Sequence, residues 1–358
     1  MIKLSEPFFD EEEKKAALRV LDSGWYIHGK ELEAFEKEFA EFAGTQRALA
    51  CSNGTTAIHL ALQALGIKKD DEVLVPSHTA FPTIEPILNL GAKPVFVDID
   101  EKHYTLDVKD AAKKITKNTR AILPVHLYGH PAQMDALSTL CKNYGLFLVE
   151  DACQAHGALY KNRHVGSIGN IGCFSFYPSK NMTVFGDGGM IVTNDKLLYE
   201  RIKLLRNHGS ENRYHHILLG NNFRVSEIAC ALGRVQLKRL PYFVQRRRKI
   251  AHMYNSLLES TSLILPKEMQ GVKHSYHLYV IRHTKRNALK SYLEKHGVHS
   301  EIHYPVPGHL QKAVPLSYRT SLPVTEKIVQ EILSLPMHPK LKEEQVAFIG
   351  NTIKRFLK

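Results

Sequence analysis

The run Ser175-Phe176-Tyr177-Pro178-Ser179-Lys180-Asn181 places a lysine directly after an apolar, strand-like segment. The glycine-rich stretch Phe185-Gly186-Asp187-Gly188-Gly189 follows it, and glycine lets the backbone approach a bound molecule closely. Burial between these segments would lower the pKa of the lysine and favour its neutral, nucleophilic amine. Two plainer interpretations stay open, because most lysines are solvated surface charges and a glycine run by itself can be a simple turn.

The chain from about Arg47 to Thr193 alternates short apolar runs with helical patterns. This alternation is typical of a mostly parallel β-sheet with helices on both faces, so the sequence predicts an α/β fold with a seven-stranded core. The predicted strands are Ala48–Cys51, Val73–Val75, Pro94–Val97, Ala121–Val125, Leu146–Val149, Gly172–Phe176 and Gly189–Val192. Because polar groups of such sheets gather past the carboxyl ends of the strands, the motifs that follow these strands should converge on one edge.

The pattern changes after the predicted sheet and indicates a second, smaller domain. Helices are predicted over Leu197–Arg206 and Ser226–Leu258, the second with a kink or break at Pro241. The elements predicted for the last part of the chain are strands His277–Ile281 and Val298–Ile302, a helix over Asn287–His296, and a final helix from Lys342. We therefore expect a large α/β domain over residues 1–244 and a small C-terminal α+β domain over residues 245–358.

Composition and charge argue against several classes of protein. With 358 residues, of which 44% are hydrophobic, the chain can bury one large core and one smaller core. It has neither a secretory leader pattern nor an apolar run long enough to span a bilayer, so we expect a soluble, cytoplasmic protein without membrane contact. The net charge of +12 is scattered, and its densest run, Arg246-Arg247-Arg248-Lys249, is typical of a solvated helix face. No nucleic-acid partner is predicted, and the charge would equally attract small polyanions.

Cysteine and histidine spacing indicates neither disulfides nor a metal site. The five cysteines are widely spaced and have mostly apolar neighbours, which predicts reduced, buried thiols. Twenty histidines are more than usual, yet the chain has no H-E-x-x-H motif and no C-x-x-C pair. No metal is therefore predicted.

Two further motifs lie upstream of Lys180. Ser52-Asn53-Gly54-Thr55-Thr56 stands between a predicted strand and a helix, where free backbone N–H groups and the helix dipole can bind an anion. The same residues are also ordinary N-cap residues. Asp151 ends a predicted strand, where a carboxylate can hold a protonated ring nitrogen, bind a metal or cap a loop. Each motif alone is a weak signal.

The order of these motifs closely resembles the DegT/DnrJ/EryC1/StrS family of pyridoxal phosphate-dependent sugar aminotransferases, which share the type I aspartate aminotransferase fold. The resemblance extends over nearly the whole chain, and the blocks that carry it are Ser23–Gly29, Asn53–Thr55, Val75–Ser77, Pro94–Asp100, Pro124–Gly129, Asp151–Gly157, Phe174–Asn181, Gly186–Gly189, Arg206–Gly209, Gly220–Arg224 and Tyr304–Gln311. It implies this fold, pyridoxal 5′-phosphate as the cofactor, and a transaminase activity.

The resemblance also implies roles for single residues. Lys180 would form a Schiff base with the cofactor and move protons, Asp151 would pair with the pyridine nitrogen, and Gln154 would bind the ring hydroxyl. The phosphate would be held by Gly54, Thr55 and Ser175, and by Asn222 of the neighbouring subunit. The site would then require a homodimer with shared active sites.

The chain also departs from the family pattern. Many members have an aromatic residue that stacks on the cofactor ring where this sequence has Ala80. Either His78 or Phe81 would stack instead, and we favour His78 because side chains two positions apart on a strand face the same way. The candidates for substrate binding are Arg224, Tyr304 and His309; a structural ion pair is an equal interpretation for Arg224.

The expected reaction moves an amino group from L-glutamate to a nucleoside-diphosphate-linked keto-sugar, with Lys180 as acid and base in both halves. The lysine argues against a branch of the family that performs dehydration and has histidine in its place. Two alternatives remain: the same chemistry on a cyclitol or other non-nucleotide ketone, and a non-catalytic, cofactor-binding regulator.

Overall fold

The seven predicted strands form one sheet in the computed structural model, which describes all 358 residues. The strands of the first two-thirds of the chain are β1 (Arg47–Cys51), β2 (Glu72–Pro76), β3 (Lys93–Val97), β4 (Thr119–Ile122), β5 (Phe147–Asp151), β6 (Leu159–Tyr160), β7 (Arg163–His164), β8 (Ile171–Ser175) and β9 (Gly189–Thr193). The order in the large sheet is β1-β9-β8-β5-β4-β2-β3. Only β9 runs antiparallel to its neighbours, so the mostly parallel α/β sheet is confirmed.

The register of this sheet brings three strand ends together. Gly189, the first residue of β9, pairs with both Cys51 of β1 and Ser175 of β8. Asp151, the last residue of β5, pairs with Cys173 of β8. The carboxyl ends of β1, β8 and β5 therefore meet at one edge, as predicted for functional groups of an open α/β sheet.

Helices cover both faces of the sheet. They are α1 (Glu11–Ser23), α2 (Lys30–Ala43), α3 (Gly54–Ala64), α4 (Glu85–Asn89), α5 (Val108–Lys114), α6 (Met134–Tyr144), α7 (Lys196–Arg206), α8 (Glu227–Leu258), α9 (Arg286–Lys295), α10 (Pro323–Glu331) and α11 (Glu343–Leu357). On one face, Phe35 and Phe39 of α2 pack against the ring of Phe176 just after β8. Two separate apolar clusters, one on each face, fix how the strand ends are presented. None of the helices is long and apolar enough to cross a membrane.

The smaller sheets lie outside the large one. Their strands are β6, β7, β10 (Ser210–Asn212), β11 (His215–His216), β12 (Val272–Lys273), β13 (Tyr279–Arg282) and β14 (Ile332–Leu335), with β12, β6 and β7 in one sheet. The predicted strand at Val298–Ile302 is wrong: Val298 and Glu301 make only isolated bridges, to Ile2 and Ser334. Strand β14 pairs with β13 instead, and it follows α10 without any turn residue between them. Because no turn residue marks the boundary between α10 and β14, the sequence pattern did not predict this strand.

Helix α8 is continuous, so of the kink or break predicted at Pro241 the break is wrong, and the kink stays a prediction. Proline removes one backbone donor and crowds the carbonyl of the residue four positions earlier, Leu237. The apolar face of the helix around it, including Leu240 and Phe243, is buried, and this packing outweighs the local cost. The predicted domain division at residues 244 and 245 falls inside this helix and stays a prediction.

The basic run on α8 is only partly a solvated face. Arg247 is 2% exposed, and its Nη1 donates to the carbonyl oxygens of Tyr276, His277 and Met337. Burial lowers the pKa of Arg247 to about 9. The charge pattern of the sequence cannot show that Arg247 is covered by another segment of the chain. The prediction of buried, unpaired cysteines is confirmed for all five.

Candidate active site

The start of α3 combines a side-chain cap with free backbone donors. Asn53 caps the helix, and its Oδ1 accepts a hydrogen bond of 2.8 Å from the backbone N–H of Thr56. The N–H groups of Gly54 and Thr55 donate to no acceptor within the protein. A Cβ at Gly54 would lie 2.7 Å from Cβ of Ser175, so only glycine allows this close approach. The cap occupies only one of the free donors, so the N–H groups of Gly54 and Thr55 stay available for an anion.

Asp151 is held rigidly at the end of β5. It is 3% exposed, and its Oδ1 accepts from the backbone N–H of Cys153 at 3.0 Å. Its Oδ2 accepts from Oγ1 of Thr83 at 2.7 Å, and Thr83 in turn lies 2.7 Å from Oγ1 of Thr79. A carboxylate oxygen can accept two hydrogen bonds, so each oxygen retains a free acceptor position for a cationic ring nitrogen.

Lys180 has an unpaired side-chain amine at this edge of the sheet. Its backbone N–H donates to the carbonyl oxygen of Tyr177 at 2.9 Å, whereas its half-buried Nζ has neither a hydrogen bond nor an ion pair. Burial lowers the pKa of Lys180, and the nearby Cys153 and Asp151 oppose this shift. The lowered pKa increases the fraction of neutral amine, which is the form that attacks a carbonyl.

Gln154 and Tyr304 come together from different parts of the chain. Nε2 of Gln154 donates to the hydroxyl of Tyr304 at 3.1 Å. Oε1 of Gln154 accepts from the backbone N–H of Tyr128 at 3.0 Å. These two contacts fix the orientation of the amide beside Asp151 and leave it able to bind a further polar group.

His78 is a buried, neutral imidazole in the same region. It is 1% exposed, and its Nε2 lies 2.7 Å from the hydroxyl of Tyr128. Burial, with a smaller contribution from His303, lowers the pKa of His78 to about 3. The other stacking candidate, Phe81, packs partly buried against an apolar cluster. A neutral ring suits stacking on a pyridine face, and the choice of His78 stays a prediction.

The model of the DegT/DnrJ/EryC1/StrS aminotransferase family matches residues 7–354. The chain belongs to this family. The free backbone donors at the start of α3, the strand-end carboxylate and the free lysine described above fit pyridoxal phosphate, which enzymes of this family use.

Relatives of this DegT-family chain are similar over its whole length. A UDP-N-acetyl-3-dehydro-α-D-glucosamine 3-aminotransferase from Acidithiobacillus ferrooxidans is 42% identical and aligns over 95% of this chain and 92% of its own length. A pleiotropic regulatory protein from Geobacillus stearothermophilus is 41% identical, over 99% and 98% of the two chains. The crystal structure of S. venezuelae DesV in complex with a ketimine intermediate is 41% identical, with a TM-score of 0.94 and 99% coverage of both chains. The predicted fold class and the transaminase class are thereby confirmed.

His309 makes no hydrogen bond with Lys180. It is fully buried, its Nδ1 lies 2.6 Å from Oγ of Ser77, and its Nε2 lies 3.3 Å from Oε1 of Glu326. These contacts join α10 to the end of β2 and leave neither ring nitrogen free for a substrate. His309 is buried because two segments that are far apart in sequence pack around it. A sequence motif does not show such packing.

Asn222 and Arg224 also make no hydrogen bond with Lys180 within one subunit. Asn222 is exposed, and the next residue, Phe223, accepts a hydrogen bond of 3.0 Å from the backbone N–H of Ser52. Nη1 of Arg224 donates to Oδ1 of Asn207 at 2.8 Å. The segment therefore lies beside the end of β1, with the Asn222 side chain on the surface.

Sequence reasoning missed Thr83 and Tyr128. Both follow the carboxyl end of a sheet strand, β2 or β4, which is the signal that selected Asp151 and Lys180. Their hydroxyl groups carry no motif of their own, because threonine and tyrosine are common in loops. Only the contacts with Asp151 and His78 distinguish them.

Proposed function

We propose that this chain transfers an amino group from L-glutamate to a keto-sugar carried by a nucleoside diphosphate, with pyridoxal 5′-phosphate as cofactor. The observation that carries the proposal is the unpartnered amine of Lys180 at the same sheet edge as the fixed carboxylate of Asp151. The relatives support the acceptor class, since the Acidithiobacillus protein is named for a UDP-linked keto-sugar.

Different residues would bind different parts of the cofactor. The N–H groups of Gly54 and Thr55, with the Ser175 hydroxyl, would hold the phosphate, and Gln154 would hold the ring hydroxyl. Asp151 would keep the ring nitrogen protonated through its negative charge. When bound, pyridoxal phosphate supplies a sink for the electrons released at the substrate carbon.

Lys180 would then act as the acid and base of both half-reactions. Its neutral amine would remove the α-proton of the donor amino acid, and its protonated form would deliver a proton to the carbonyl carbon of the sugar. Because Nζ has no protein partner, the side chain can reach both positions without breaking a hydrogen bond.

The direct test is a panel of acceptors with L-glutamate as the donor, in which the aminated product is measured by mass spectrometry. We expect turnover with at least one nucleotide-linked keto-sugar and none with cyclitol ketones. Turnover with cyclitol ketones alone would replace the proposed acceptor class by the non-nucleotide alternative.

We further propose a homodimer in which Asn222 binds the cofactor phosphate of the partner subunit. A surface patch supports this: Trp25, Tyr26 and Ile27, between α1 and α2, are 63%, 49% and 41% exposed. Contiguous exposed aromatic and aliphatic side chains of this kind mark interfaces. The surface position of Asn222 agrees with a contact across the interface.

A mixed-dimer experiment tests this shared site. Lys180→Ala and Asn222→Ala subunits should each be impaired, and random exchange should restore about one quarter of the wild-type sites, because half of the dimers then contain one complete site. Asn221→Ala is the matched control, since the Asn221 side chain makes no hydrogen bond. Failure to recover activity in verified mixed dimers would place Asn222 outside the partner's site.

A regulatory role is the second candidate, because the Geobacillus relative is named a pleiotropic regulatory protein. The two roles predict different responses of the visible absorption spectrum to L-glutamate. A catalyst loaded with pyridoxal phosphate will change its visible absorbance when L-glutamate is added, as the amino group moves to the cofactor. An unchanged spectrum, together with retained cofactor binding, would favour the regulator.

A further inference from the structure

The loop that carries Tyr128 is pressed against the segment leading into β13. Tyr128 adopts the left-handed conformation, with φ 59° and ψ 4°, and Gly129 follows with φ 97°. A Cβ at Gly129 would lie 2.5 Å from Oγ of Ser275. The carbonyl oxygens of Tyr128 and Gly129 accept from the N–H groups of Leu278 and Ser275, at 3.3 and 3.0 Å. These contacts hold the Tyr128 backbone in a conformation that is costly for a non-glycine residue.

The hydroxyl of Tyr128 has two partners, and only one assignment of its proton satisfies both. It contacts the carbonyl oxygen of His303 and lies 2.7 Å from Nε2 of His78. A carbonyl oxygen can only accept, so the hydroxyl proton must point to His303. The hydroxyl oxygen must then accept from an N–H at Nε2 of His78. Because burial keeps His78 neutral, its Nδ1 carries a lone pair, and this atom has no partner in the protein.

The backbone of Tyr128 closes a ring of hydrogen bonds. Its N–H donates to Oε1 of Gln154, and Nε2 of Gln154 donates to the hydroxyl of Tyr304. Tyr304 is the chain neighbour of His303, whose carbonyl receives the Tyr128 hydroxyl. The ring therefore joins two candidate cofactor-binding side chains to the segment at residues 303 and 304, which lies in the last third of the chain.

We propose that Tyr128 is a positioning residue that sets the tautomer and ring plane of His78 and ties His78 and Gln154 to the His303–Tyr304 segment. The inference rests on the proposed function, since it assigns to Tyr128 the orientation of groups that face the cofactor. The proposal therefore couples the positions of His78 and Gln154 to the position of the His303–Tyr304 segment. A shift of the His303–Tyr304 segment would break the hydrogen bond from the Tyr128 hydroxyl to the His303 carbonyl, and that bond fixes the direction of the hydrogen bond between Tyr128 and His78.

The test replaces Tyr128 by phenylalanine, which keeps the ring and removes only the hydroxyl. Tyr254→Phe is the matched control, because Tyr254 is also buried and its hydroxyl donates to a backbone carbonyl, that of Pro336, at 3.0 Å. We expect Tyr128→Phe to weaken binding of pyridoxal phosphate to the apoprotein and to lower kcat, each on the order of 10-fold, with a smaller change in KM for glutamate. Tyr254→Phe should change none of these beyond twofold.

A second measurement does not depend on a folded Tyr128 variant or on activity. In ¹⁵N spectra of the wild-type apoprotein, we expect His78 to be neutral with its proton on Nε2, its signals being identified by their loss in His78→Gln. A proton on Nδ1 of His78 would overturn the proposal. So would a folded Tyr128→Phe protein with wild-type cofactor affinity and kcat.

These outcomes are separable from failure of the proposed function. If the wild-type protein aminates no ketone, the proposed function fails, yet cofactor affinity and the His78 tautomer still test Tyr128. If the wild-type protein is active and Tyr128→Phe matches it in every measurement, only the inference about Tyr128 fails.

Discussion

Asp151 and Lys180 lie at the ends of neighbouring strands, and their surroundings are opposite in kind. Both carboxylate oxygens of Asp151 accept hydrogen bonds, from Cys153 and Thr83. Nζ of Lys180 has no partner at all. In the proposed function, Asp151 must hold a charge in place and is immobilised by hydrogen bonds, whereas Lys180 must react with several carbons and is left without a partner.

The same contrast extends to the neighbours of Lys180. Oδ1 of Asn181, Nδ1 of His277 and both ring nitrogens of His156 are buried and make no hydrogen bond within the protein. The Asp151 side is instead linked through Thr83 to Thr79. A buried polar atom without a partner in the protein is a position where a bound molecule can form a hydrogen bond. The unpaired atoms around Lys180 therefore indicate that bound molecules are accommodated on the Lys180 side.

The largest expected effect comes from removing the free amine. Lys180→Ala should lower kcat by about 10⁴-fold, the upper end of the contribution of a single acid–base group, while leaving fold and dimer intact. Lys196→Ala, a change of an exposed lysine at the start of α7, is the control. Transamination assays with purified proteins check this. A Lys180→Ala enzyme with a near-normal rate would show that the reaction does not need the free amine.

The next effect tests the charge of the fixed side. Asp151→Asn keeps an oxygen to accept from Cys153 and an amide that can donate to Thr83, so the geometry is preserved and only the negative charge is lost. We expect kcat to fall by roughly 10²–10³-fold, as for loss of one preorganised electrostatic group. Cofactor absorbance should report the ring nitrogen as neutral; an unaltered spectrum and rate would mean that Asp151 acts only by position.

A smaller effect tests the rigidity of the fixed side. Thr83→Val removes the donor to Oδ2 of Asp151, and the loss of one such bond to a charged group costs about 1.5–3 kcal/mol. We expect kcat to fall by about 10-fold, since part of that cost is shared by folding stability. Thr352→Val is the matched control, because Thr352 is also buried but its hydroxyl donates to a backbone carbonyl, that of Phe348, instead of a carboxylate. Equal rates for the two variants would show that the Thr83 contact is dispensable.

The smallest effect concerns stability and pH. Burial places the pKa of Lys180 below its value in the unfolded chain, so charged Lys180 destabilises the folded state at low pH, and this cost disappears as pH rises towards the unfolded pKa. Lys180→Met should therefore stabilise the apoprotein more at pH 6 than at pH 10. Urea unfolding at both pH values measures this, and an advantage that does not change with pH would contradict the lowered pKa.

Most of the fold and the centre of the site could be predicted from local sequence. Strands β1 to β5, β8 and β9 have apolar runs bounded by polar residues, and Asp151 and Lys180 follow directly from strand ends. The family resemblance added roles that spacing alone could not assign, such as that of Gln154.

The errors share a physical cause, which is that they depend on contacts between distant segments. Pro241 stays helical and Arg247 is buried because other parts of the chain pack over α8. Strand β14 was missed because no turn residue separates it from α10. Thr83 and Tyr128 acquire their importance only from partners far away in sequence.

The unbroken course of α8 has a practical consequence for protein engineering. The helix has 32 residues, which corresponds to about 48 Å, and Glu227 at its start accepts hydrogen bonds from Gly29 and Glu31, while Leu258 at its end lies in the C-terminal core. Exchange of C-terminal regions between relatives would have to join two sequences inside this rod. One inserted residue would turn everything beyond the junction by about 100°, so functional chimeras must conserve the residue count of α8.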